Sequence, residues 1–189
     1  MKALVSAACL SLLSLPAMAQ AISEYTEYTL ENDCTVVGRA PAGEGDWNDH
    51  VCTGVSNFPF VVRNTDGRET VTYGFAAEPG MRTFSPFNYA NGTIEWRMVM
   101  DRDIEVPVAA IQRWFLADQN GEWDQQILVV SRVAQPDDGN GCAIAFIDAA
   151  ADGANQRARQ AADQLAADFT CGSDAPMVED GIASLVPLD

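Results

Sequence analysis

His50 is the single histidine of the chain and stands two residues before Cys52 in the stretch GDWNDHVCTG, residues 45–54. An imidazole beside a thiol could form a nucleophile–base pair or supply two ligands to zinc. Both chemistries need a free thiolate, and the other cysteines argue against one. Setting aside Cys9, which falls in an N-terminal apolar run, four remain: Cys34, Cys52, Cys142 and Cys171. An even set in an exported chain reads as disulfides. Four cysteines allow three connectivities; the pairing expected is Cys34–Cys52 and Cys142–Cys171, since each closes a short loop around one structural unit. Bridged sulfur cannot attack a substrate, and a lone histidine leaves zinc too few ligands. His50 could still be the base of a Ser-His-Asp arrangement, but GVSNF (54–58) lacks the second glycine of a nucleophile elbow.

Carboxylates supply the next candidates. In MDRDIEV (100–106), an extended backbone would project Asp101, Asp103 and Glu105 from one face at intervals of about 6.6–7 Å. Such a row could bind a hard cation such as calcium or do acid–base work. It reads equally as a charged edge strand that discourages pairing with another chain, with Arg102 on the opposite side. PDDGNG (136–141) departs from the calcium-loop pattern and reads as a turn. No phosphate-binding glycine loop, dinucleotide fingerprint or haem motif occurs, so no cofactor is expected. Trp47, in a Gly/Asp-rich loop, and Trp123, just past a turn, are expected to be partly exposed and to offer a contact surface. Trp96 and Trp114 are expected in the core or on a sheet face.

The elements that would position these residues are mostly strands. A short strand is expected near Tyr25–Leu30, followed by a loop over 39–50. FPFVVRNTDGRETVTYGF (58–75) has the alternation of a β-hairpin, with its turn at Asn64–Gly67. Asn91-Gly92 reads as a turn leading into the IEWRM strand. AAIQRWFLADQNGEWDQQILVVSRVA (109–134) gives a second hairpin about Asn120-Gly121, and CAIAFIDA (142–149) a further strand at the centre of a sheet. One helix is expected near 152–169, where Ala154, Ala158, Ala161, Leu165 and Phe169 form a stripe at helical spacing. The expected fold class is α+β, mostly β: a single antiparallel sheet or small barrel of about six or seven strands with one C-terminal helix.

Residues 1–19 read as a secretory signal peptide, with Lys2, the apolar run Ala3–Leu15, Pro16 and the cleavage pattern Ala17-Met18-Ala19. The run is too short for a transmembrane segment. Residues 20–172 then form a single disulfide-stapled β-rich domain, and 173–189 a loosely ordered acidic tail. The chain has 27 acidic and 11 basic residues, a net charge of −16 that becomes −17 without Lys2. Every other cation is arginine. Such a surface repels nucleic acid and anionic lipid, and attracts a basic protein or a divalent cation.

The segments YTEYTL, HVCTG, FPFVV, IEWRM, GCAIAFIDA and ANQRARQAADQLAADFTCG resemble those of small exported, periplasmic bacterial proteins of uncharacterised function. The resemblance covers most of the chain after the signal and implies no activity or site residue. A looser similarity, of class and charge, is to periplasmic lysozyme inhibitors. The function expected is therefore a non-enzymatic module, periplasmic or secreted, that binds a basic protein or an envelope component. The alternatives are a hydrolase-type enzyme using His50 or the Asp101/Asp103/Glu105 carboxylates, and a calcium-stabilised structural protein.

Overall fold

The computed structural model describes residues 21–76 and 83–186; the expected signal peptide lies outside them. The strands are β1 (Ile22–Glu27), β2 (Cys34–Arg39), β3 (Trp47–Thr53), β4 (Pro59–Thr65), β5 (Arg68–Tyr73), β6 (Asn88–Asp101), β7 (Ile104–Leu116), β8 (Gln125–Arg132), β9 (Cys142–Asp148) and β10 (Met177–Val178). A single-turn helix, α1 (Leu30–Asp33), joins β1 to β2, and α2 (Ala154–Leu165) follows β9. The sheet order is β10-β9-β8-β7-β6-β5-β4-β3-β2, with β1 added to β6 off that path.

This corrects the expected six or seven antiparallel strands. The described residues hold ten, in one mixed sheet, because β10 runs parallel to β9 and β5 meets β6 in parallel at Arg68 and Asn88. Part of the expected loop 39–50 belongs to β3, which pairs along its length with β4. Asn91 and Gly92 lie within β6, where the register to β7 shifts between Ala90 and Ile94. The segment expected to be a loose tail supplies β10 and buries Ile182 and Val186.

Alternation along the strands divides the interior in two. Ala110, Trp114 and Leu116 of β7, Ile127 and Val129 of β8, and Phe146 of β9 face Phe60, Val62, Val71 and Tyr73 of β4 and β5. The intervening Ala109, Ile111, Leu128, Val130, Ile144 and Ile147 face Ala154, Ala158, Ala161 and Ala162 of α2. Strands covered on both faces need near-continuous apolar sequence, which is why CAIAFIDA lacks clean alternation although β9 has only the two-residue β10 beyond it. The alanine stripe lets α2 approach closely. Its arginines and Asp163 fasten it to the sheet: Arg159 Nε donates to Glu95 at 2.6 Å, and Arg97 of β6 donates twice to Asp163, at 2.8 and 2.7 Å. Arg157 Nε donates to Glu179, just past β10, at 2.7 Å.

The bridges Cys34–Cys52 and Cys142–Cys171 join residues 18 and 29 apart in sequence. The first ties β2 to β3 at directly opposed positions, and the second ties the start of β9 to the chain beyond α2. Among the described residues, no helix is long and apolar enough to cross a membrane.

Candidate functional site

His50 and Cys52 lie two residues apart on one strand and face the same side of the sheet. Cys52 is bridged to Cys34, so no thiol is available to the imidazole. His50 lies opposite Val36 on β2 and Val62 on β4, and its Nδ1 is buried with no hydrogen-bond partner among the described residues. Among the described residues no carboxylate is hydrogen-bonded to that nitrogen, the contact that orients the histidine of a Ser-His-Asp arrangement.

Asp101, Asp103 and Glu105 do not share one extended face. Arg102 and Asp103 both have positive φ, 48° and 69°, and form the two-residue turn joining β6 to β7. Asp101 lies opposite Ile104, and Met100 opposite Glu105. The turn breaks the spacing that an unbroken strand would have given, and no cluster of three potential metal ligands occurs among the described residues.

Trp123 is different. The loop between β7 and β8 is built on Asp118, whose Oδ1 accepts from the Asn120 and Glu122 amides at 2.7 and 2.9 Å. These amides, Glu122 first, hold the Asp118 carboxyl below the usual range. Gly121 completes the turn at φ 83°. The loop presents Trp123 edge-on to Tyr89 at 5.1 Å between ring centroids, and Tyr89 stacks on Phe115 at 5.1 Å. Tyr89 and Phe115 are opposed on β6 and β7, on the face that α2 covers farther along β7. Among the described residues no helix covers it here: Trp123 is 42% exposed and Tyr89 39%. Phe87, also exposed, continues this face under the Arg68 guanidinium, 4.7 Å from its centroid. Asp118, Glu122 and Asp124 stand in the same loop as Trp123. Trp47 is exposed on the β2–β3 hairpin, far from this ladder in the strand order, and packs over Gly38. The two expected contact tryptophans do not form one surface.

A polar cluster that sequence reasoning missed lies inside the sheet. Gln112 of β7 is 1% exposed. Its Nε2 donates to Tyr28 Oη at 3.0 Å and to the Asn91 carbonyl at 2.6 Å, and its Oε1 accepts from Tyr73 Oη. Burial pushes the Tyr28 phenol up to about 12 and the Tyr73 phenol well above its ordinary value. Glu69, on the same face of β5 as Tyr73, accepts from the Ala90 amide at 2.9 Å. Burial raises its carboxyl, partly offset by hydrogen bonds from Ala90 and Asn64. The available signal was a glutamine on the inward register of Ala110, Trp114 and Leu116.

Comparison with protein families, with curated proteins and with solved structures found no match.

Proposed function

We propose that this protein is an exported, non-enzymatic binding module, periplasmic in a bacterium, that recognises a basic protein through the Trp123–Tyr89–Phe115 face. The observation that carries this reading is the aromatic ladder held outside both cores by an ordered, acidic loop. Large amphipathic rings supply contact area at low conformational cost, which is why tryptophan and tyrosine dominate interface energetics. Asp118, Glu122 and Asp124 beside them, on a chain of net charge −16, provide complementarity to a cationic partner. The disulfides fit an oxidising compartment.

The test is a titration against a lysozyme, a basic envelope-acting enzyme, at about 20 mM and about 300 mM salt. Oppositely charged surfaces separated by a Debye length of about 10 Å at 0.1 M salt are strongly screened. Saturable association at low salt that weakens at least tenfold at high salt, and weakens again in Trp123→Ala, supports the proposal. Absence of association at low salt removes lysozyme as the partner. Association unaffected by Trp123→Ala removes the aromatic face.

A further inference from the structure

β6 changes neighbours along its length. Asn88 is bridged to Arg68 of β5, whereas Thr93 onward pairs with β1, beginning opposite Glu27. Between the two, the β6–β7 register shifts across Ala90–Ile94, and β6 leaves a gap beside it. That gap is a cavity of about 180 Å³, lined by Tyr28, Leu30, Val62, Glu69, Ala90 and Gly92. It exceeds the volume that one ordered water needs. Gly92 keeps it closed on one side: a Cβ there would meet the Tyr28 carbonyl oxygen at 2.6 Å.

We propose that this cavity binds a primary alkylammonium group, with the Glu69 carboxylate as its counter-ion, the Tyr28 hydroxyl as a second acceptor and Leu30 and Val62 against its alkyl chain. The site lies apart from the exposed aromatic face and does not rest on it. Three observations converge on this ligand. Among the described residues no arginine pairs with Glu69: Arg63 is paired to Asp49, and Arg68 to Asp66. The Glu69 hydrogen bonds from Ala90 and Asn64 occupy two of about four lone-pair positions on a carboxylate, so others remain for a donor. Tyr28 lines the cavity, and its Oη accepts from Gln112, which fixes the ring and leaves a lone pair that can accept again. A desolvated carboxylate is costly, and an ammonium supplies both the charge and three donors. The charge of the raised Glu69 carboxyl would be favoured by the same partner.

The experiment follows backbone amide NMR shifts while n-butylammonium is added to the disulfide-intact protein. n-Butanol and n-butyltrimethylammonium are the controls: the first has the chain without the charge, the second has the charge without a donor hydrogen. Saturable shifts of Leu30, Ala90 and Gly92 with n-butylammonium, at least tenfold weaker with either control, are expected. Glu69→Gln should abolish saturation, and Tyr28→Phe should weaken it several-fold. Thermal unfolding of each variant establishes that it is folded. Nα-acetyl-lysine methylamide and spermidine distinguish a lysine side chain from a free polyamine, and tighter binding of either supports the site. Equal binding of n-butyltrimethylammonium would reduce the effect to the acidic surface and overturn the proposal. Unchanged binding in folded Glu69→Gln, or no saturation in the native protein, would overturn it as well.

Discussion

Gln112→Leu tests whether the buried polar cluster holds the two halves of the sheet together. The substitution keeps the approximate side-chain size and removes hydrogen bonds to Tyr28, Tyr73 and the Asn91 carbonyl. At a net ~1 kcal/mol each, three lost bonds would cost about 3 kcal/mol. The orphaned groups set a second estimate. Tyr73 is 3% exposed, so its hydroxyl finds no water in place of Gln112; an unsatisfied buried group costs about 1–3 kcal/mol. Tyr28, 8% exposed and lining a cavity, is less enclosed than Tyr73, so its loss is smaller. Leucine returns at most about 1–2 kcal/mol through added apolar burial. The net expectation is a destabilisation of about 2–4 kcal/mol, or a Tm lower by roughly 6–12 °C for a domain of this size. Urea unfolding of Gln112→Leu, Tyr73→Phe and the double variant measures it, with a common m-value confirming the comparison. Removing the Tyr73 hydroxyl in the Gln112→Leu background should recover about 1 kcal/mol or more, because it eliminates the stranded group. A destabilisation below about 0.5 kcal/mol, or strict additivity in the double variant, would refute the reasoning.

Removing Cys142–Cys171 by paired substitution to alanine should cost about 3–4 kcal/mol on the chain-entropy relation for residues 29 apart, read as a shift in urea midpoint under oxidising conditions. Asp163→Ala should cost about 2 kcal/mol, less than for a fully buried pair, since the nearly buried Arg97 guanidinium loses its paired carboxylate but keeps hydrogen bonds to Ser23 Oγ and the Ala21 carbonyl, and Asp163 itself is 36% exposed. Glu69 and Glu179 should give opposite pH signatures. The Glu69 carboxyl is raised in the fold, so the native state holds its proton more tightly; its contribution is full below about 4.5 and falls as pH rises through the raised value, and Glu69→Gln should flatten that fall. Arg157 lowers the Glu179 carboxyl, so that contribution is present above about 4.5 and is lost as pH falls through the lowered value, a loss Glu179→Gln should abolish. Chemical unfolding across pH 3–8 checks both signs.

What could be read in advance was encoded locally. The 58–75 hairpin closes at Asp66 and Gly67, both with positive φ, and the 109–134 hairpin about Gly121, because alternation and turn residues are short-range signals. The alanine stripe of α2 follows from helical spacing, and the cysteine pairing from short loops. The remainder depended on contacts distant in sequence. β3 hides in a Gly/Asp-rich stretch because its pairing comes from both β2 and β4. Arg102 and Asp103 make a tight turn without glycine, so the carboxylate row looked continuous. Trp123 was recognisable as an exposed ring, but not its ladder, since Tyr89 and Phe115 meet only through β6–β7 register. Glu69 and Tyr28 share a cavity only because β6 changes neighbours between them.

The most direct measurement of the proposed function is site-specific photocrosslinking in an envelope preparation. A photoreactive residue at position 123, on the aromatic face, should capture a discrete cationic protein at low salt and lose it at high salt. The same residue at position 103, on the exposed β6–β7 turn, should not. Capture of the same protein equally at both positions, or of none at position 123, would contradict the account.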